Sequence, residues 1–305
     1  MVIGIRATVD FAFKLMFGSP EHTAITIHFL NSLLGSRIRS VEILNPILGK
    51  EIDEDKLSIL DIRAVDDQGR QFNIEMQTSL TAGLVKRLVY YVGNLYVRQI
   101  VSGGSYTSLR PAISICVLDQ RLFQHDRLHA SFLLRDQTGD VLCEELQIHT
   151  IELPKSGVTE HNVRNASPLE KWVFLLSNAE HYELAELQAL FPEPEFQEAI
   201  GVLEMIARTP DQRDLYEARL KLQRDEAARL EFAMNEGMEK GIEKGRVEGR
   251  MEGRMEGEQI GQIRLLQQLL RLPQTAAEEL AKLGSTELHS QLEELQRQMR
   301  ERGLN

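Results

Sequence analysis

Two cysteines in 305 residues are too few for a disulfide framework or a cysteine metal cage. Cys116 and Cys143, each inside strand-like apolar sequence, read as buried free thiols. No stretch reaches the roughly 20 apolar residues of a membrane span. The opening MVIGIRATVDFAFKLMF meets charge at Arg6, Asp10 and Lys14, so it is not a signal peptide, and the protein is placed in the cytoplasm with no membrane partner. A phosphate loop of the GxxxxGK[ST] kind is missing, and Ser102-Gly103-Gly104-Ser105 lacks the dinucleotide pattern, so no nucleotide cofactor is expected. His22, His28, His125, His129, His149 and His161 share no metal-ligand spacing and are given no catalytic role.

An excess of positive charge is also lacking. The net charge is −11, which alone argues against a nucleic-acid partner. Counted by halves, residues 1–155 carry 16 basic and 18 acidic side chains, net −2, whereas residues 156–305 carry 19 and 28, net −9. The acidity lies mainly in the second half, and first-half carboxylates that ligate cations would not face DNA as bare charge. A local DNA-binding cleft is therefore compatible with the composition.

With 42% hydrophobic residues and only 9 prolines, the chain can bury a sizeable core. Residues 8–35 carry Phe13, Phe17, Ile27, Phe29 and Leu30 in a helical pattern interrupted near Gly18-Ser19-Pro20 and ended by Gly35, which predicts two short helices. Residues 38–48, 58–65 and 71–77 read as strands, 83–101 as a helix, and 111–118 and 146–153 as further strands. This order makes residues 1–155 a three-layer α/β domain. Past Pro154 the pattern turns helical, with Ser167-Pro168-Leu169-Glu170 as a capping box, and residues 156–235 form a helical region packing on or following that core. Residues 236–305 form a separate module, a glycine repeat followed by a Leu-rich stretch broken at Pro273 and a helix near 286–302.

The chemically informative segment runs from Leu60-Asp61-Ile62-Arg63 to Asn73-Ile74-Glu75-Met76-Gln77 and reads as a β-hairpin. If Asp67-Gln68-Gly69 is its loop, with glycine at the left-handed position, residue 66 faces 70 and Asp61 faces Glu75. Alternation then puts Asp61, Arg63, Asn73, Glu75 and Gln77 on one face and Leu60, Ile62, Ala64, Phe72, Ile74 and Met76 on the other. Carboxylates about 5 Å apart at Cβ repel unless something compensates. A divalent cation such as Mg²⁺ would compensate; a solvated polar face of an edge hairpin is the plainer alternative. On the following helix Arg87, Tyr91, Asn94 and Arg98 form one polar stripe that either meets phosphates or packs as a half-buried helix face.

Asp61 with Ile74-Glu75-Met76-Gln77 resembles the Asp…Glu-x-Gln variant of the PD-(D/E)XK nuclease core. Asp10-Phe11-Ala12-Phe13-Lys14 with Phe17, Ile47-Leu48-Gly49-Lys50, the Arg87-x-x-Tyr90-Tyr91 helix and Ile151-Glu152-Leu153-Pro154-Lys155 extend the likeness. Together they resemble the Rpn family of recombination-promoting nucleases and transposases over about residues 5–260. The resemblance implies a restriction-endonuclease-like α/β core with a helical C-terminal extension, and metal-dependent DNA cleavage in recombination or mobile-element processes. It implies that Asp61 and Glu75 bind Mg²⁺ or Mn²⁺ and that Gln77 orients the attacking water, at a position where many relatives have lysine. Asp10 lies where related nucleases place an additional acid, while Lys14, four residues on, shares its helical face. DNA contacts are assigned to Arg87, Tyr91, Arg98 and Lys14. A catalytically weak DNA-binding or assembly protein that keeps this fold is the alternative, and a phosphohydrolase acting on small nucleotides is a third reading.

Gly237, Gly241, Gly245, Gly249, Gly253, Gly257 and Gly261 recur every fourth residue. Each costs a helix interior about 1 kcal/mol relative to alanine, roughly 5–7 kcal/mol together. Close helix–helix approach would compensate. Glu248, Glu252 and Glu256 flank one side and Arg246, Arg250 and Arg254 the other, so parallel pairing opposes unlike charges. A homo-oligomer through the Gly237 to Gly261 helix is expected; a flexible charged linker is the alternative.

Overall fold

The structure, a computed structural model, describes residues 2–44 and 62–302. Asp61 and the Ile47-Leu48-Gly49-Lys50 motif lie outside the described residues. The chain divides into two compact units, Met1–Ala227 and Ala228–Asn305.

The first unit is built on a six-stranded mixed sheet of order β1-β2-β3-β4-β6-β5. Its strands are β1 (Val41–Ile43), β2 (Ile62–Asp66), β3 (Gln71–Gln77), β4 (Ala112–Leu118), β5 (His129–Arg135) and β6 (Val141–Glu152). β3, β4 and β6 run parallel, while β1, β2 and β5 are antiparallel to their neighbours. A parallel β3–β4 pair needs a crossover, and α3 (Leu84–Val97) supplies it. The hairpin loop is the expected one: Gly69 has φ +78°, and Asp66 N donates to Arg70 O at 3.1 Å. The Asp66 carboxylate, fully buried, accepts from Gln68 N and Arg70 N and pairs with Arg70 Nε at 2.6 Å.

Alternation along the strands gives the sheet two different faces. Ile62, Ala64, Phe72, Ile74, Met76, Ile113, Ile115 and Val117 join one large core. That core continues into α1 (Asp10–Phe17), α2 (Thr23–Leu34), α4 (Pro168–Asn178), α5 (Leu184–Leu190) and α6 (Pro194–Arg208). At its centre Trp172 packs tilted against Phe196 at 4.2 Å between ring centroids and meets Phe17 edge-on at 5.4 Å. Its indole N–H donates to His28 Nδ1 at 3.0 Å, so the buried polar atom is satisfied. The capping box of α4 is present, with Ser167 and Glu170 bonding reciprocally. On the other face α3 packs Leu84 and Leu88 on Cys116 and Leu118, and Val92 and Leu95 on Ala112. The three layers expected from sequence are thus two helical layers enclosing one sheet.

One strand was not expected. β5 reads HASFLLR, only one of its residues is fully buried, and its pairing with β6 is irregular near Leu134. An edge strand with so little apolar alternation gives a weak period-2 signal. Cys116 and Cys143 form no disulfide.

From Pro210 one α-helix, α7, runs to Leu269 and includes the whole glycine ladder. In the second unit, the end of α7 joins α8 (Ala277–Leu280) and α9 (Ser285–Glu301) around Ile263, Leu270, Leu280, Leu288, Leu292 and Leu295. Gln267 exchanges hydrogen bonds with Thr275 at 3.0 Å each way, pinning the turn that contains Pro273. Among the described residues no helix is long and apolar enough to cross a membrane.

Candidate active site

The sheet face beneath α3 carries the polar residues of β3. Strand alternation directs Asn73, Glu75 and Gln77 away from the large core. The observed register pairs Ile62 with Ile74, Arg63 with Asn73, Ala64 with Phe72 and Val65 with Gln71, as the loop chemistry predicted. Asp61, the expected partner of Glu75, lies one residue before the described part of β2.

Glu75 is 1% exposed, although it is a carboxylate on the face of a sheet. Burial of such a group is costly unless charge or hydrogen bonds offset it. Two neighbours do so here: Gln77 Nε2 donates to Glu75 Oε2 at 3.3 Å, and Arg87 Nη2 stands 4.0 Å from the same oxygen. Arg87 Cζ in turn lies 6.0 Å from the ring centroid of Tyr91, within cation–π range. Four of the residues singled out from sequence, Glu75, Gln77, Arg87 and Tyr91, therefore form one cluster. Arg98, the C-terminal cap of α3, is eleven residues beyond Arg87, or about 16 Å along the helix.

The same face holds buried polar atoms that lack partners among the described residues: Asn73 Nδ2, Ser114 Oγ, Thr150 Oγ1 and Arg87 Nε. Ser114 pairs in register with Asn73, while Cys116 lies between Glu75 and Thr150. Buried polar atoms of this kind are normally satisfied by ordered water or a ligand. Beside the apolar contacts of α3, the strip of floor around Glu75 is thus polar and hydrogen-bond poor.

Asp10 and Lys14 sit on α1. Asp10 Oδ1 accepts from Phe11 N at 2.7 Å, and its Oδ2 lies 3.9 Å from Arg219 Nη1 of α7. Burial pushes the Asp10 carboxyl above its usual range, with Arg219, the Phe11 amide and Lys14 pulling it back. Lys14 is buried for a lysine, beside the helix terminus at Gly18. A Cβ at Gly18 would lie 2.8 Å from Lys14 O and 3.1 Å from Ile62 Cγ1, so glycine alone lets this helix end approach the start of β2.

Three groupings were not read from the sequence. Glu152 and Lys155, both side chains 1% exposed, pair at 2.7 Å, and Glu152 Oε2 also accepts from Leu122 N at 2.7 Å. Register places Glu152 beside Leu118 and Leu118 beside Gln77, two strands or about 10 Å away. The signal was the Ile151 to Lys155 motif, used only for its likeness to a family. Asp119 N donates to Gln77 O at 2.9 Å, and its carboxylate meets Arg6 Nη2 at 3.5 Å. Burial raises the Asp119 pKa, with Arg6 opposing. His129 and His149 stack with centroids 5.2 Å apart and share a 2.9 Å contact between ring nitrogens. Spacing of twenty residues gave no hint of that pair.

Among the described residues no group of three or more His, Cys, Asp or Glu side chains is placed to hold a metal ion. The described donors at the cluster are mostly hard, a carboxylate, an amide oxygen and hydroxyls, with the buried Cys116 thiol between Glu75 and Thr150. No curated protein and no solved structure matches the chain. The family model for the PD-(D/E)XK nuclease family transposases matches residues 7–233, which takes in α1, the whole sheet, α3 and the α4–α6 helices. A buried Glu75 paired with Gln77 on the second strand of a hairpin, in a mixed sheet flanked by helices, is the core that this match covers, and the chain belongs to the PD-(D/E)XK nuclease family transposases.

Proposed function

We propose that this chain is a metal-dependent DNA endonuclease that hydrolyses phosphodiester bonds in recombination or mobile-element processes in the cytoplasm. The observation that carries the reading is Glu75, buried on the polar sheet face between the Gln77 amide and the Arg87 guanidinium. If the β2–β3 register continues by one pair, Asp61 stands opposite Glu75, and two carboxylates so close call for a cation.

The donors present fit a hard divalent ion that keeps most of its waters, so Mg²⁺ or Mn²⁺ is assigned to Asp61 and Glu75. When bound, such an ion supplies Lewis acidity toward a phosphodiester oxygen and toward an attacking water. The protein's own groups do the rest. Gln77 orients the water through its amide, which already lies against Glu75. Arg87 and Tyr91 hold the phosphate backbone beside the carboxylates, with Arg98 as a flanking contact, whereas Lys14, assigned to DNA from the sequence, is buried at 8% exposure and is not placed for it. Asp10 is the additional acid, its carboxyl raised by burial and held beside Arg219.

Gln77 also favours a second reading, a DNA-binding or assembly protein with weak catalysis, because an amide supplies no positive charge at that position. Nicking of supercoiled plasmid separates the two. Cleavage in Mg²⁺ or Mn²⁺ that disappears in EDTA and in Asp61→Ala is expected; equal activity, or none, in both proteins favours the binding role.

We further propose that the chain assembles as a parallel homo-oligomer through Gly237 to Gly261. A Cβ at any of these seven glycines would meet nothing within 4 Å, so no packing within the described chain offsets their helix cost of roughly 5–7 kcal/mol. Ion pairs along the helix, such as Lys240–Glu236 at 2.7 Å and Arg254–Glu258 at 3.0 Å, contribute about 0.3–0.5 kcal/mol each and fall short. Met238, Ile242, Val247, Met251 and Met255 are exposed on the same stretch. Sedimentation of the chain truncated after Asn235 should show a smaller oligomer; an unchanged state removes the proposal.

A further inference from the structure

We infer that Arg87 is the resident counter-cation of Glu75 and passes to a DNA phosphate when a divalent ion takes the carboxylate, so that the metal and DNA are bound in concert. The inference rests on the functional reading above and gives Arg87 a role that Gln77, being neutral, leaves open.

Four features of Arg87 point this way. Its Nη2 stands 4.0 Å from Glu75 Oε2, at the limit of an ion pair and beyond hydrogen-bond range, so the guanidinium balances the carboxylate without being committed to it. Its Nε is buried and has no partner among the described residues, a desolvated donor that an anionic oxygen would satisfy. Its plane is held from the Tyr91 side at 6.0 Å while the side chain stays 35% exposed, so it is positioned yet reachable. It also belongs to the first turn of α3, where Arg87 N bonds to Gly83 O at 2.9 Å. That helix start has no side-chain cap and no acidic residue, which leaves its amide dipoles favourable to an anion.

An arginine supplies five donors in a fork that matches phosphate geometry. Before a metal binds, those donors serve Glu75 only through one long contact. A cation at Glu75 replaces that charge, and the freed guanidinium faces the adjacent backbone phosphate. Each ligand thereby removes the competitor of the other, which is the condition for positive coupling between two sites.

The test uses the full-length chain with two binding readouts that do not depend on cleavage. Mn²⁺ affinity is measured by electron paramagnetic resonance titration without DNA, and DNA affinity by fluorescence anisotropy across a salt series, once in Ca²⁺ and once in EDTA. Arg87→Ala should bind Mn²⁺ about threefold or more tightly than the wild type, because a competing charge is gone. In Ca²⁺ the same variant should bind DNA at least about threefold more weakly, with a salt slope lower by about one, and in EDTA that difference should shrink. Arg87→Lys keeps the charge and should hold the wild-type Mn²⁺ affinity. Opposite shifts in the two readouts support the inference. Unchanged affinities, or a fall in both, overturn it while leaving the endonuclease reading in place. A wild-type chain that binds no Mn²⁺ overturns the functional reading and this one with it.

Discussion

The two faces of β3 use alternate residues of the same seven-residue strand for opposite purposes. Phe72, Ile74 and Met76 enter a core that reaches from Ile3 to Tyr216, whereas Asn73, Glu75 and Gln77 meet α3 across a floor of incompletely bonded polar atoms. On the first face, close packing of Trp172, Phe196, Phe17 and Phe29 converts buried area into stability. On the second, Glu75 is buried beside the Gln77 amide and the Arg87 guanidinium, where an uncompensated carboxylate would cost stability. The difference teaches that α3 covers the second face with small apolar contacts at Cys116, Leu118 and Ala112 and leaves the strip around Glu75 polar.

Neighbouring substitutions should split that comparison cleanly. Glu75→Gln is expected to lower cleavage on the order of a thousandfold while leaving the melting temperature equal or higher, since a buried charge is removed. A parallel fall in stability would place Glu75 in the structural face. Ile74→Ala, one residue away, should cost about 4 kcal/mol of unfolding free energy in urea titration and leave the cleavage rate per folded molecule unchanged. Loss of activity without loss of stability in that variant would blur the two faces.

The histidine pair tests whether the sheet edge belongs to the stability side. His149 is pushed down to about 4, first by burial and second by the His129 charge, from an ordinary value of 6.5. A base with a lowered folded pKa stabilises fully above pH 6.5 and loses that contribution as the pH falls toward 4, here about 3 kcal/mol. His149→Gln should flatten the stability profile over that window while sparing cleavage at pH 7.5. A profile as steep as the wild type would contradict the assignment. Smallest is the hairpin loop: Gly69→Ala, at φ +78° and with its new Cβ 3.2 Å from Arg110 Cγ, should cost about 1–2 kcal/mol. Measurement by thermal melting suffices, and a neutral effect would mean the loop tolerates a shift in register.

Much of this contrast was legible because a period of two cannot be hidden in a strand with one apolar face. Gly69 and the alternation of Phe72, Ile74 and Met76 specify the loop, the register and the direction of Glu75 and Gln77 from the sequence alone. The grouping of Arg87 and Tyr91 followed from helical spacing, but their approach to Glu75 did not, since it depends on how α3 crosses the sheet. Contacts between distant segments were silent. Arg219 meets Asp10 across more than two hundred residues, and His129 reaches His149 through an edge strand without a clear pattern. The stripe from Arg87 to Arg98 was read as one surface, whereas only its N-terminal end borders the carboxylate. Trp172 and Phe196, from the helical sequence after Pro154, pack with Phe17 and Phe29 in a single core, a contact that helical periodicity alone does not specify. Asp61 lies outside the described residues, and its role rests on register and resemblance.

The most direct test of the account is thermal melting of the wild type and Glu75→Gln with and without Mn²⁺. Binding to the native state alone raises stability by about 2.7 kcal/mol at a hundred times the dissociation constant. The account predicts a clear upward shift for the wild type and little or none for Glu75→Gln. An equal shift in both proteins, or none in either, would contradict a metal site at Glu75.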